Sequence, residues 1–514
     1  MADSGVPPAD HHVANAASPL LNLPLEILLR ITYFLNTEDL GKIRLCCKLS
    51  EELLLVSFTR EYFSRRQFAL LEPSVKAFVD ISKSRFRQHL SAVHVAIDTL
   101  SGIVQKSHWN DSQEGPRARD FSAMDTLLWS SGQLTELLAE GFRNLPNLKA
   151  VVVRAQDSNK RERDFPNTRW RSWGVKTLTG SFEHHHLHLA RDGNSATKVF
   201  QVVLMALAKA NISLDYLEVM APMIHEEAYI VSPYMAPQIR NVLQNVSRLH
   251  LWIGTEQHPL RVFSPDQRTV IPSAYLCDFL SYAPNVTDLR LNAGRGVTKA
   301  IMLGIMERIV AEIPAAASLN SKVEGDNTKS HWVILPKLQI LSLGHMTISM
   351  RSLLSFLQRC AKSLKDISLW TMELELDDED GNVQNADGKE GKPLWCYFLQ
   401  QLRATDMNLE RLSIGRLRER KPAAPQKNVH FKDEDEKVTY IGPLWKSFIG
   451  DILPHIHLVD THPVQLYPDP VSQSDSEGED DEDNEDDDED NEDNDEDDDQ
   501  DEHQDDGDGD AEQQ

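Results

Sequence analysis

The sequence predicts a mixed α/β fold: a small all-helical module, then a long series of helix–strand units, then a disordered acidic tail. Two short amphipathic helical patterns follow one another in "LPLEILLRITYFLNTEDLGKIRLCCKLS". A six-residue apolar pattern recurs through the middle of the chain. Residues 471–514 contain 27 Asp and Glu and no Lys or Arg. We therefore divide the chain into a disordered N-terminus (1–18), the helical module (19–66), the helix–strand region (67–470) and the tail (471–514).

The middle region repeats the pattern apolar-x-x-apolar-x-apolar, whose last two positions alternate as on one buried face of a β-strand. Seven copies begin at Leu148, Leu214, Val246, Val286, Leu338, Leu364 and Leu409, and a weaker eighth begins at Leu90. Several copies follow a segment with apolar residues at i, i+3, i+4 and i+7, which predicts one apolar helix face. Ser273 and Ser349 are placed to cap two of these helices. Such units stack into a solenoid with parallel strands.

The units resemble leucine-rich repeats, although the seven copies start 66, 32, 40, 52, 26 and 45 residues apart, where a regular array has about 20–29. The Asn or Cys that usually follows the strand is replaced by Met346, Met372 and Leu417 in the last three copies. We predict an irregular solenoid, and the 66-residue gap leaves room for another copy. Three interrupting loops are predicted at 159–173, 377–393 and 418–437. A single α/β domain with parallel strands is the alternative.

Charge and composition exclude several protein classes. The net charge of −27 comes from the tail, because the rest of the chain carries 53 acidic and 53 basic residues. No basic face for direct nucleic-acid binding is therefore expected. No apolar run approaches the length of a membrane span, and the N-terminus lacks the apolar core of a secretory signal. Five cysteines without a CxxC pair indicate a reducing compartment, so we expect a cytoplasmic or nuclear protein, or both.

No motif for chemistry stands out. The segment "EHHHLH" lacks the spacing of a metal site. There is no nucleophile elbow, phosphate-binding loop or HExxH sequence. We therefore predict no catalytic, cofactor or metal site, and a protein that is not an enzyme.

The helical module carries more large apolar residues than a unit of its size can bury. Pro24 suits the first turn of one helix, and Thr37 is a predicted N-cap of the next. Leu28, Ile31 and Leu35 form one apolar stripe. Small domains have little interior, so the surplus apolar surface predicts a partner.

The same residues resemble the F-box motif: Leu23-Pro24-x-Glu26-Ile27-Leu28, with Asp39-Leu40, Leu45 and Cys47-Lys48 after it. A Trp common near the end of that motif is Ser50 here. The resemblance implies binding to a Skp-type adaptor and, through it, to a cullin, while the rest of the chain captures an unknown protein substrate. The implied adaptor contacts are Leu23, Pro24, Ile27, Leu28, Leu40 and Leu45. Burial in the module's own core is the alternative role, weighed equally for Leu28 and Ile31.

The tail offers possible phosphorylation sites. Ser472, Ser474 and Ser476 each have an acidic residue three positions later, which resembles the acceptor pattern of an acidophilic kinase. The tail also motivates the alternative function of a non-catalytic scaffold or chaperone-like protein that binds basic partners. The simplest role for it is solubility.

Overall fold

The computed structural model describes residues 19–100, 114–155, 172–173, 189–190, 192–254, 274–294, 297, 299–311, 332–375, 392–420, 425–432 and 435–460. All described residues belong to one compact unit within Met1–Thr461, and His462–Gln514 lie outside the described residues. The predicted mixed α/β fold class is confirmed, because helices come first and helix–strand units follow. No helix in the described part is long and apolar enough to cross a membrane.

The chain begins with a 3-10 turn at Pro19–Asn22 and three helices, α1 (Leu25–Tyr33), α2 (Thr37–Cys46) and α3 (Lys48–Phe63). The later helices are α4 (Glu72–Lys83), α5 (Glu114–Ser130), α6 (Gln133–Arg143), α7 (Gly193–Ala210), α8 (Ala236–Leu243), α9 (Ala274–Ser281), α10 (Lys299–Arg308), α11 (Met350–Cys360), α12 (Leu394–Ala404) and α13 (Trp445–Ile452). Further 3-10 turns lie at Arg85–Gln88, Glu226–Tyr229 and Leu453–His455.

The main sheet has ten strands: β1 (Arg65–Ala69), β2 (Ala92–Ala96), β4 (Ala150–Arg154), β6 (Tyr216–Met220), β7 (Arg248–Ile253), β8 (Asp288–Ala293), β11 (Ile340–Gly344), β13 (Asp366–Trp370), β15 (Arg411–Gly415) and β18 (Lys437–Ile441). Their order in the sheet is their order along the chain. Every neighbouring pair is parallel except β15 with β18. A parallel sheet in chain order results when each helix–strand unit lies beside the previous one.

The second sheet comprises β12 (Thr347–Ser349), β14 (Glu373–Glu375), β16 (Arg418–Arg420), β17 (Lys427–His430) and β19 (His457–Asp460). Two small pairs complete the strands, β3 (Thr99–Leu100) with β5 (Leu189–Ala190), and β9 (Ile309–Val310) with β10 (Val333–Ile334).

All eight predicted apolar strands are strands of the main sheet, and their central residues stand in register. These residues are Val93, Val151, Leu217, Leu249, Leu289, Leu341, Ile367 and Leu412. None is more than 1% exposed. We call this row the apolar ladder. It explains the repeated pattern, because each unit buries its strand against the same core.

β4 pairs directly with β6, so no further strand of the main sheet lies between them. One detail of the predicted array was wrong. The predicted loop at 418–437 contains β16 and β17 and ends where β18 begins. Both strands lie inside the second sheet, between β14 and β19. They lack the apolar signal of the main-sheet strands because their residues are mostly polar, RER in β16 and KNVH in β17.

The chain turns a tight corner after β11, β13 and β15. His345, Thr371 and Arg416 take positive φ angles of 57°, 53° and 49°. Each is followed by a buried apolar residue, at Met346, Met372 and Leu417. These are the positions where a leucine-rich repeat usually has Asn, and here they carry apolar side chains into the core. The assignment to that repeat class stays a prediction.

The helix preceding β13 shows how sequence positions these elements. Ser349 caps α11, as predicted, and its hydroxyl accepts a hydrogen bond from the Ser352 backbone N–H at 3.2 Å. The buried face of α11 is the one that the spacing predicted, and it consists of Leu353, Phe356, Leu357 and Cys360. The other predicted cap, Ser273, lies outside the described residues.

Candidate functional site

The candidate site is the surface of α1, α2 and α3, and local capping fixes where these helices begin. The Leu28 backbone N–H donates to the Pro24 carbonyl at 3.1 Å and closes the first turn of α1. The N-cap of α2 is Asn36, whose side chain accepts from the Asp39 backbone N–H at 2.8 Å. The prediction of Thr37 as this cap was wrong by one residue, because Asn36 already has the extended backbone that a cap requires.

The junction of α2 and α3 is held by a cysteine and a serine. The Cys47 Sγ accepts from the Ser50 backbone N–H at 3.4 Å, and this hydrogen bond lowers the pKa of the thiol. The Ser50 hydroxyl is buried and donates to the Ile43 carbonyl at 2.8 Å. Ser50, at the position where the F-box motif often has Trp, therefore ties the end of α2 to the start of α3.

Two of the six predicted adaptor contacts lie in the core of the three helices. Leu28 and Leu40 are 1% and 4% exposed and belong to the same core as Leu54. The rings of Phe58 and Tyr62 stack at 4.7 Å beside them on α3. Leu28 and Leu40 therefore support the outer surface of the helices from the core and do not form part of it.

The three helices are also fixed to the first helix–strand unit. The Phe63 ring stacks on Phe86 with centroids 4.3 Å apart. Arg85 forms an ion pair with Glu51 of α3. Only Ser64 separates α3 from β1, and its carbonyl accepts the Ser91 backbone N–H at 3.0 Å. A partner bound to the helices would therefore be held in a defined position relative to the main sheet.

The outer surface of the helices is apolar. The other predicted contacts include Pro24, Ile27 and Leu45, which are exposed, while Leu23 is half-buried. Leu45 is 86% exposed, which is extreme for a leucine. We call the large exposed apolar side chains of α1, α2 and α3 the module surface; they are Leu25, Ile27, Ile31, Tyr33, Phe34, Leu45, Leu49 and Val56.

Sequence reasoning missed several members of the module surface. Tyr33 ends α1, Phe34 follows it as the C-cap, and Val56 lies in the middle of α3. The excess of large apolar residues in the module did indicate that some of them are exposed. The amphipathic pattern could not show which of these residues point outward. Two of the predicted outward residues point inward for the same reason.

Comparison with protein families decides what these helices are. Residues 20–55 match the F-box domain model. The chain contains an F-box domain. F-box domains in general bind Skp-type adaptors, and F-box proteins are in general non-catalytic adaptors of ubiquitin ligase complexes. The match ends within α3, so the main sheet lies beyond it. No curated protein matches the sequence.

The remaining predicted sites are not part of this surface. Ser472, Ser474, Ser476 and the segment "EHHHLH" lie outside the described residues. In the part of the chain that the structure describes, no group of three or more His, Cys, Asp or Glu residues could hold a metal ion.

Proposed function

We propose that this F-box protein is the substrate-recognition subunit of a Skp-cullin-F-box ubiquitin ligase. The F-box would bind the Skp-type adaptor, and the helix–strand region would bind a target protein. The observation that carries the proposal is the F-box match at residues 20–55, on helices that expose Leu45 by 86%. The proposal places the protein in the cytoplasm, the nucleus or both.

Burial of the module surface supplies the energy for adaptor binding. Covering a large apolar side chain gains about 1.5–3 kcal/mol. Leu45 and Phe34, at 86% and 71% exposed, have most of that gain still available. Eight large apolar side chains exposed on three short helices are typical of an interaction site.

We assign two roles to the predicted contacts, and their burial supports this division. Pro24, Ile27 and Leu45 are exposed, and Leu23 is partly so, which suits direct contact with the adaptor. Leu28 and Leu40 are buried, so we assign them the supporting role. Ile31 remains 39% exposed and joins the contact group.

The proposed role requires no catalytic residue in this chain. A substrate receptor raises the effective concentration of a target near a ubiquitin-charged enzyme, and its contribution is orientation. The Phe63–Phe86 stack and the Arg85–Glu51 ion pair suit that task, because they resist bending between the F-box and the sheet.

The test is adaptor binding by the full-length chain, measured by calorimetry with a purified Skp-type adaptor. The variant Ile27→Asp/Leu45→Asp places two charges in the module surface, and we expect affinity to fall at least about 100-fold, since each buried charge costs several kcal/mol. Leu444→Asp is the matched control, because Leu444 is 68% exposed but lies far along the chain. Unchanged melting temperatures would show that both variants fold.

A second readout is co-purification from a mixture of the purified chain, adaptor and cullin. The wild-type chain should be recovered with adaptor and cullin, and the double variant should not. Failure of the wild-type chain to bind the adaptor at micromolar concentration would defeat the proposal.

A further inference from the structure

The main sheet has a second face, opposite the helices. Along β7, Leu249, Leu251 and Ile253 are buried in the core. Side chains alternate along a strand, so Arg248, His250 and Trp252 lie on the other face. One row of that face runs, in register from β7 to β18, through Trp252, Asn292, Gly344, Trp370, Gly415 and Lys437. Two tryptophans and a lysine therefore share one row of the open face.

Trp370 lies across the neighbouring strand. A Cβ built at Gly415 would be 2.3 Å from the Trp370 ring, so the absence of a side chain at Gly415 makes room for the indole. Two cations flank this ring: the Arg416 guanidinium carbon lies 5.7 Å and the Lys437 Nζ 5.4 Å from a ring centroid. Both distances are within the range of cation–π attraction.

Trp252 has a similar companion. The His345 ring stacks on it with centroids 5.1 Å apart and planes 29° from parallel. His345 and Arg416 are the residues of two left-handed corners. The open face thus combines each tryptophan with a corner side chain from a later unit.

These corners do not need their side chains for the fold. The corner N–H groups of His345, Thr371 and Arg416 donate to the carbonyls of Trp370, Gly415 and Glu436 at 2.8–3.0 Å, all through backbone atoms. Glycine would make the same bonds without the strain that a side chain brings to positive φ. A non-glycine residue at positive φ is strained, and the same strain at several equivalent positions indicates that the side chain has a function. The side chains of His345 and Arg416 each contact a tryptophan.

The surface is cationic. We call Trp252, Arg290, His345, Trp370, Arg416 and Lys437 the Trp surface. It contains three permanent cations. Three carboxylates border it, and each has a cationic partner: Glu436 pairs with Arg416 at 3.9 Å, Asp288 with Arg248 at 3.3 Å, and Glu218 with His250 at 3.5 Å. Burial lowers the pKa of His345, and the charges of Arg418 and Arg416 lower it further, which reflects the positive local field.

We propose that the Trp surface docks an acidic peptide segment of the target protein. Arginine side chains bind carboxylates through paired hydrogen bonds, and tryptophan is the side chain that most often anchors a protein interface. In an extended Asp- and Glu-rich segment with occasional apolar residues, the carboxylates can pair with the cations and the apolar side chains can pack on the tryptophans. The identity of the occupant as a ligase target rests on the proposed function; the binding itself does not.

The experiment measures fluorescence polarisation of a labelled peptide of about twelve residues, Glu with interspersed Leu, as the full-length protein is added. Arg416→Gly/Lys437→Gln removes two cations and leaves a residue suited to the corner. We expect affinity to fall at least tenfold. Thr371→Gly is the matched control: it changes the middle corner in the same way but removes no cation, so affinity should stay within twofold.

Several results would overturn the proposal. Equal loss in Thr371→Gly would assign the effect to the backbone of the corner. Equal affinity for a peptide with Gln in place of Glu would remove the charge argument. Binding of only a phosphoserine version would show that carboxylates are not recognised. Tighter binding by a chain ending at Thr461 would make the chain's own acidic segment the occupant.

The adaptor-binding variant separates this proposal from the proposed function. Ile27→Asp/Leu45→Asp leaves the Trp surface unaltered, so it should bind the peptide with wild-type affinity even though it loses the adaptor. Peptide binding without any adaptor binding would uphold the docking surface and defeat the ligase role. The reverse pattern would defeat the docking surface alone.

Discussion

The F-box helices and the apolar ladder use the same kinds of residue in opposite ways. Leu341 and Ile367 of the ladder are fully buried by neighbouring units of their own chain. Leu45 and Phe34 of the F-box are 86% and 71% exposed. A repeated unit finds its partner in the next unit, whereas a single small module has to find its partner in another protein. Apolar content therefore predicts that a surface is buried, but it does not show whether the same chain or another protein covers it.

Removing a ladder side chain should have the largest effect on the fold. Leu341→Ala creates a cavity between units, and we expect the free energy of unfolding to fall by about 2–5 kcal/mol. Its neighbour Ile340, 36% exposed on the other face, is the control, and Ile340→Ala should cost under about 1 kcal/mol. Urea unfolding of both variants tests this. Similar losses would mean that the two faces of β11 are equally packed.

In the F-box, substitutions at the adjacent residues Ile27 and Leu28 should have opposite effects: one should weaken adaptor binding and the other stability. Leu28→Ala should destabilise the helices by about 2–5 kcal/mol, because Leu28 is 1% exposed. Ile27→Ala should leave stability within about 0.5 kcal/mol and weaken adaptor binding about tenfold or more, because Ile27 is 49% exposed. Thermal melting and calorimetric titration separate the two. A stability loss in Ile27→Ala as large as in Leu28→Ala would place both residues in the core.

The same comparison shows what the sequence could predict. The ladder strands were found because a buried strand alternates in a fixed register, as in Leu289 and Leu291. The inward and outward residues of the F-box were not separated, because Ile27 and Leu28 are both large and apolar. Short strands such as β16 and β17 were missed because they are mostly polar. The left-handed corners were missed because His345, Thr371 and Arg416 replace the glycine that would signal them.

The open face of the sheet also contains a buried ionic cluster, which contrasts with the ladder behind it. His250 is 9% exposed, and its ring nitrogens lie 3.3 Å from Asp288 and 3.5 Å from Glu218. Burial by itself lowers the pKa of His250, but hydrogen bonds to Asp288 and Glu218 and their charges outweigh it and raise the pKa above its ordinary value. Tyr216 contacts the same ring, and Arg248 pairs with Asp288.

This raised pKa predicts how stability depends on pH. A histidine charged more readily in the folded state stabilises it fully below the unfolded pKa of about 6.5 and loses that contribution as pH rises through the folded pKa. Wild type should therefore exceed His250→Gln in stability by about 2 kcal/mol at about pH 5.5, as for a hydrogen bond to a charged group, and by less at higher pH. Burial and Arg154 lower the pKa of another buried histidine, His94, to about 3. His94 is present in both wild type and His250→Gln, so its contribution cancels in the comparison. A difference independent of pH would show that folding leaves the pKa of His250 unchanged.

The smallest expected effect concerns the corners that join the two sheets. Thr371 is β-branched and held at φ 53°, a conformation that costs a side chain about 1–2 kcal/mol. Thr371→Gly removes that cost but adds freedom to the unfolded chain, which offsets part of the gain. We expect the free energy of unfolding to rise by about 0.5–1 kcal/mol, measured by urea unfolding. A matching change at a strand residue without a positive φ, Thr347→Gly at the start of β12, should destabilise. If Thr371→Gly also destabilises, its side chain stabilises the corner by more than the strain it introduces. Thr371 would then belong with the buried residues of the ladder and could not serve as the neutral control beside the Trp surface.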